Sequence, residues 1–204
     1  MIPDYKAGGF GPDRLLSVMF SAAGTGTVTA YPLKRRKAQK TGEGNMHTFR
    51  FATEEDVGLI LKFIRDLAEY EKMSDQVVAT EALLREWIFE KHRAEVLFIC
   101  EGQMAVGFAL FFHSFSTFLG RAGIYLEDLF VMPEYRNRGY GKALLKKLAQ
   151  ITVERGCGRL EWACLDWNRP SIDFYLSLGA VQMNEWTTYR LTGETLNRMA
   201  EAES

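Results

Sequence analysis

Arg136-Asn137-Arg138-Gly139-Tyr140-Gly141-Lys142 sets two glycines and three cations into seven consecutive positions, between a strand-like run and an amphipathic helical run. The first N–H groups of a helix lack intrahelical acceptors and lie at its electropositive end, so a segment in this position can hold a phosphate. Gly139 and Gly141 remove the Cβ atoms that would keep a pyrophosphate off the main chain, and Arg136, Arg138 and Lys142 add charge. Taken alone, the segment is either an anion cradle or a basic surface turn that binds nothing. Other nucleotide motifs fit worse. A dinucleotide fingerprint would need a third glycine and a downstream ribose acid, and a triphosphate loop would need Gly-Lys-Ser/Thr.

The elements that must position this turn follow from periodicity. His47 to Phe51 alternates as a short strand, and Thr53-Glu54-Glu55-Asp56 supplies an N-cap, a capping-box acid and a negative first turn. Val57, Ile60, Leu61, Ile64, Leu67 and Ala68 recur at helical spacing, predicting a helix to about Lys72. Thr80 caps a second helix through Leu83, Leu84, Trp87 and Ile88. Ala94 to Cys100 and Met104 to His113 read as a hairpin about Glu101-Gly102-Gln103, and Ile124 to Met132 as a strand stopped by Pro133. Beyond the basic turn, Leu144, Leu145, Leu148 and Ile151 mark an amphipathic helix ending at Gly156. Arg159 to Leu165 reads as a strand, Pro170 to Leu178 as a short helix closed by Gly179, and Ala180 to Leu191 as a final strand before a helix capped at Thr192. This order gives an α/β layered fold with a mixed sheet, without internal repeats.

Composition narrows the class. The 204 residues are 47% apolar and 25% charged, which is ordinary for one globular domain. No run of about 18 apolar residues occurs, so no membrane-spanning helix is expected. Cys100, Cys157 and Cys164 form no C-x-x-C pair and read as reduced thiols of a cytoplasmic protein. His47, His92 and His113 have no partner at ligand spacing, so no metal is expected.

Residues 1–45 carry seven Lys/Arg against three Asp/Glu, whereas 46–204 carry eighteen against twenty-three. The second part is mildly acidic, which disfavours nucleic acid and suits a cationic small molecule. The first 45 residues lack periodicity, hold seven glycines and three prolines, and include the basic run Lys34-Arg35-Arg36-Lys37. They read as a disordered or non-native leader, with the fold beginning at Met46; a nucleic-acid-binding arm is the alternative, and a secretory signal fits poorly.

Two spaced motifs then carry a resemblance. The basic turn resembles the Arg/Gln-x-x-Gly-x-Gly/Ala signature of GNAT N-acetyltransferases, and Asn168-Arg169-Pro170-Ser171-Ile172-Asp173-Phe174-Tyr175, leading into Leu178-Gly179-Ala180, resembles their second cofactor motif. Tyr125-Leu126-Glu127-Asp128-Leu129-Phe130-Val131 and Glu69-Tyr70-Glu71-Lys72-Met73 resemble the diamine (spermidine/spermine) acetyltransferase branch, including thialysine acetyltransferase-like members. The resemblance covers residues 46–204. It implies a mixed central sheet of six to seven strands flanked by helices, acetyl-CoA as co-substrate, and a homodimer with the late strands and the Trp186 region as contacts.

The same resemblance assigns roles. Leu129, Phe130 and Val131 would offer main-chain groups to the pantetheine arm, residues 137 to 142 with Arg136 would hold the pyrophosphate, and Asn168, Arg169, Pro170 and Ser171 would contact the same molecule. By the residues alone, Leu129 to Val131 would be buried strand positions and Asn168 a helix cap. Tyr175 becomes the general acid for the departing thiolate; otherwise it is an aromatic anchor between helix and sheet.

Amines with an ordinary pKa of about 10 arrive protonated, so binding must be followed by deprotonation. Adjacent strand residues point to opposite faces, so only one of Glu127 and Asp128 need line the cleft, and the resemblance selects Glu127 as the carboxylate that holds the ammonium and relays its proton. Tyr70 and Glu71, with Asp75 adding to the field, are the expected contacts of a distal ammonium, or else Glu71 is a solvated charge at a helix end. The oxyanion would meet a main-chain N–H near Phe130. The expected acceptor is a diamine, a polyamine or a thialysine-like amino acid. Rival readings are a GNAT enzyme acting on a protein or peptide amine, which would want an open groove, and a silent acyl-CoA-binding sensor.

Overall fold

A computed structural model describes residues 47–201. The expectations for residues 1–45 and for a start at Met46 lie outside the described residues.

Five strands form one sheet in the order β1-β2-β3-β4-β5: β1 (His47–Phe51), β2 (Glu95–Glu101), β3 (Met104–Ser116), β4 (Arg121–Val131) and β5 (Leu160–Trp162). The first four are antiparallel, and β5 joins β4 in parallel with Ile124 opposite Leu160. That parallel pairing requires a crossover, which α3 (Tyr140–Glu154) supplies. α1 (Val57–Tyr70) and α2 (Glu81–Leu84) lie between β1 and β2, α2 continuing as a π-turn over Arg85–Glu90; α4 (Arg169–Ser177) and α5 (Gly193–Glu201) follow the last strand.

Alternation along β2 explains how both faces are filled. Leu97 and Ile99 pack with Tyr140, Leu144, Leu145, Leu148 and Ile151 of α3 in one core cluster. Val96, Phe98 and Cys100 pack with Ile60 and Phe63 of α1 and with Ile88 in the other. A strand covered on both sides has no polar face to show, which is why β2 reads as a continuous apolar run. The capping segment also forms: the Thr53 N–H donates to Asp56 Oδ2 at 2.8 Å, and Arg50 reaches the same carboxylate through two 2.7 Å hydrogen bonds. Those bonds, Arg50 first, hold the Asp56 carboxyl down at about 2.

The hairpin about Gly102 forms as expected, with Gly102 in the left-handed region at φ 62°. The expected strand Ala180 to Leu191 does not form, and the sheet has five strands instead of six or seven. Every residue from Val181 to Glu201 is exposed, so this segment has period-two patterning but pairs with no strand among the described residues. Strand propensity without a partner leaves the backbone in irregular extended form.

Candidate active site

One cavity of about 700 Å³ gathers α1's end, the second half of β4, the basic turn and α4. Its size is that of a pocket for a small organic ligand. Of the residues given a role in catalysis or binding from sequence, Arg138, Arg169 and Asp75 are not among those that line it. Arg138 lies 3.7 Å from Glu101 and over the Tyr135 ring, and Arg169 pairs with Asp173 one helical turn on. The lining also includes Leu67, Tyr135, Ala163, Cys164 and Leu165, which had no motif to mark them, and Phe174 of the second motif.

The basic turn is built by two left-handed residues, Asn137 at φ 61° and Gly139 at φ 84°. Asparagine and glycine are the residue types that adopt this conformation at least cost. Gly139 is the N-cap of α3 and brings no side chain to cap it, and the first-turn amides of Gly141 and Lys142 have no intrahelical acceptor. A Cβ on Gly139 would meet nothing within 4 Å, and one on Gly141 only Phe174 Cζ at 3.9 Å. The space these glycines leave open is therefore cavity, and the bared main chain fits an anionic group.

Arg136 is turned along the cavity wall. Its Nε donates to the Val131 carbonyl at 3.0 Å, and its guanidinium lies 4.6 Å from the Tyr70 ring centre. Asn168 is buried as the N-cap of α4, its Oδ1 accepting from the Ser171 N–H at 3.3 Å and from the Tyr70 O–H at 3.4 Å. Pro170 in the first turn fixes the start of that helix, so Tyr175 is carried to the cavity two turns later, edge-on to Trp162.

The carboxylates depart from the simple strand rule. Leu110 pairs with Asp128 but Phe111 with Leu126, so Glu127 is the extra residue of a β-bulge. A bulge breaks the two-residue alternation, and Glu127 and Asp128 both line the cavity. The expectation that they face opposite ways is corrected by this kink.

Electrostatics follow from the crowding. The Asp128 carboxyl is pushed up to about 6, by burial first and then by the charges of Glu127 and Glu71. Burial likewise raises Glu71. The Tyr175 phenol is pushed up to about 12, by burial first and then by Cys164, Glu71 and Tyr70. It therefore holds its proton at neutral pH and is available as a hydrogen-bond donor inside the cavity. Among the described residues, no group of three or more His, Cys, Asp and Glu clusters as metal ligands, and no helix is long and apolar enough to cross a membrane.

Residues 61–180 match the acetyltransferase (GNAT) family. The chain belongs to the GNAT family. It is 42% identical to a thialysine N-epsilon-acetyltransferase of Bos taurus, the match covering 74% of this chain and 95% of that one. It is 31% identical to an L-ornithine N5-acetyltransferase of Arabidopsis thaliana, over 83% and 95% of the two chains. A solved integron cassette protein from V. cholerae superposes with a TM-score of 0.66 at 27% identity, covering 76% of this chain and 98% of that one. This GNAT protein is thus an N-acetyltransferase, with relatives named for small amine acceptors.

Proposed function

We propose that this N-acetyltransferase moves the acetyl group of acetyl-CoA to a primary amine of a small cationic acceptor, by direct attack within a ternary complex. The observation that carries this reading is that one cavity holds both the anion-fitting turn and three carboxylates, Glu71, Glu127 and Asp128. The names of the relatives support small diamines and amino-acid amines, and the clustered acids favour a cationic acceptor.

In this reading Leu129, Phe130 and Val131 pair with the pantetheine amides as one further strand would, and the amides of the 136–142 turn take the pyrophosphate. Asn168, Pro170 and Ser171 line the same seat, while Arg138 and Arg169 act from its rim. Glu71 stands at the distal ammonium. The reacting ammonium gives a proton to Glu127, directly or through water, with Asp128 sharing the charge. The freed lone pair attacks the thioester carbonyl, and the main-chain N–H near Phe130 meets the oxyanion. The attack forms the C–N bond, and collapse of the tetrahedral intermediate restores the carbonyl and breaks C–S. The Tyr175 O–H donates to sulfur as negative charge grows there, and the second proton leaving nitrogen restores the phenol. The products are the N-acetylated acceptor, the free thiol and one proton.

A homodimer completes the proposal. Trp186 and Tyr189, 71% and 90% exposed, lie in the irregular segment that follows α4, and α5 exposes Leu196 and Met199. An apolar segment of this kind favours a second copy as its partner, since an isologous contact buries it twice. The three cysteines, free thiols all, suit a cytoplasmic setting.

The deciding experiment follows thiol release from acetyl-CoA with spermidine, putrescine, thialysine, lysine, ornithine and a peptide amine. Turnover with the small diamines or amino acids and none with the peptide is the expected result. Turnover with the peptide alone would reject the acceptor, and no CoA binding by calorimetry would reject the whole reading.

A further inference from the structure

Tyr70 touches the wrong neighbours for a residue that only greets an amine. It ends α1, beside Glu71, and from sequence it belongs with the acceptor. Its ring, however, carries the Arg136 guanidinium on its face at 4.6 Å, and its hydroxyl donates to Asn168 Oδ1 at 3.4 Å. Arg136 is the first residue of the basic turn, and Asn168 is the buried cap that starts α4. Tyr70 thereby contacts both motifs of the acyl-donor seat.

We infer that Tyr70 is a positioning residue for the acyl-donor side of the cavity, holding Arg136 by its ring and Asn168 by its hydroxyl. The inference rests on the proposed use of acetyl-CoA, and it moves Tyr70 from the acceptor's contacts to the donor's support. Physically, the two attachments do different things. A ring face over a guanidinium fixes where a long, rotamer-rich side chain points, and so lowers the entropy lost when the turn closes on its ligand. A second donor to Asn168 Oδ1, beside the Ser171 N–H, fixes the cap and hence the first turn of α4, which presents Ser171 and carries Tyr175. Both effects act on the donor, through residues that line the donor's side, and neither touches the carboxylates that face an ammonium.

Two substitutions separate the contributions. Tyr70→Phe keeps the ring and removes the hydroxyl; Tyr70→Leu removes both. By calorimetry with CoA, Tyr70→Leu should weaken binding about fivefold and Tyr70→Phe about twofold, the losses expected for one cation–π contact and one neutral hydrogen bond in a partly exposed setting. In kinetics the KM for acetyl-CoA should rise with them, while the KM for the acceptor stays within about twofold of the parent. Hydrogen exchange without any ligand gives an independent readout: the Ser171 amide should exchange faster in both variants, with the α3 amides of Leu144 to Leu148 unchanged. A general loss of packing would instead speed exchange throughout and raise both KM values. The inference is overturned if the acceptor KM rises alone, or if exchange at Ser171 is unaltered. Failure of the parent protein itself to bind CoA would overturn the proposed function, and the exchange measurement would still decide what Tyr70 holds.

Discussion

Glu127 and Asp128 are consecutive residues of β4 and both line the cavity, because the strand bulges where Phe111 pairs with Leu126 and Leu110 with Asp128. Burial raises the cost of ionising Asp128, and the neighbouring Glu127 carboxylate adds repulsion. The acidic end of the site therefore includes one carboxyl, that of Asp128, that takes up a proton near pH 6.

A pH dependence follows. The folded-state pKa of Asp128, about 6, lies above an ordinary unfolded value of about 3.9. Its stabilising effect is complete below the unfolded value and is lost as pH rises through about 6. Asp128→Asn should thus raise Tm at pH 8 relative to the parent and change it little at pH 4, read by calorimetric scans. The same substitution should shift or remove an acidic limb in kcat/KM for the acceptor, falling below pH about 6 in the parent.

Tyr175→Phe keeps the ring against Trp162 and removes the donor. Turnover should fall by roughly 10² or more, the scale of a lost general acid, with CoA affinity unchanged within about twofold. Single-turnover assays and calorimetry check the two halves; an unaltered rate would remove Tyr175 from the chemistry.

Glu71→Gln removes a charge from the distal position while keeping shape. KM for a diamine should rise several-fold, about 1 kcal/mol of lost attraction, and KM for a monoamine should stay near the parent's. Equal shifts for the two acceptors would defeat the distal-ammonium assignment.

Gly139 sits at φ 84°, where any side chain is strained although space is open around it. Gly139→Ala should cost about 1 kcal/mol of stability from the backbone alone. Its effect on CoA affinity should be larger, tenfold or more, because in the proposed reading the new methyl would stand in the diphosphate's seat. Thermal melts against CoA titrations separate these, and equal losses would argue against contact at this residue.

Trp186→Glu combined with Met199→Glu should leave the monomer fold intact, since both side chains are exposed. Sedimentation at micromolar concentration should then show a monomer where the parent shows a dimer. A monomeric parent would end the dimer proposal.

The chemistry-bearing segments were legible because they obey local rules. Gly139 and Gly141 before a periodic apolar run announce a bared helix start, Asn168 and Pro170 announce another, and the apolar spacings of α1 and α3 are set by a period that neighbouring residues alone define. The sequence by itself therefore determined the order of most elements, the two cofactor-type motifs and the carboxylates worth watching. What it could not contain is pairing. The bulge at Glu127 exists only because β3 sets the register opposite it, and the strand-like pattern of residues 180–191 has no partner among the described residues to turn it into a strand. The contacts of Tyr70 with Arg136 and Asn168 span 66 and 98 positions of chain. Only tertiary structure decides such relations, because hydrogen bonds and ring contacts depend on distances in space that the spacing of residues along the chain does not fix.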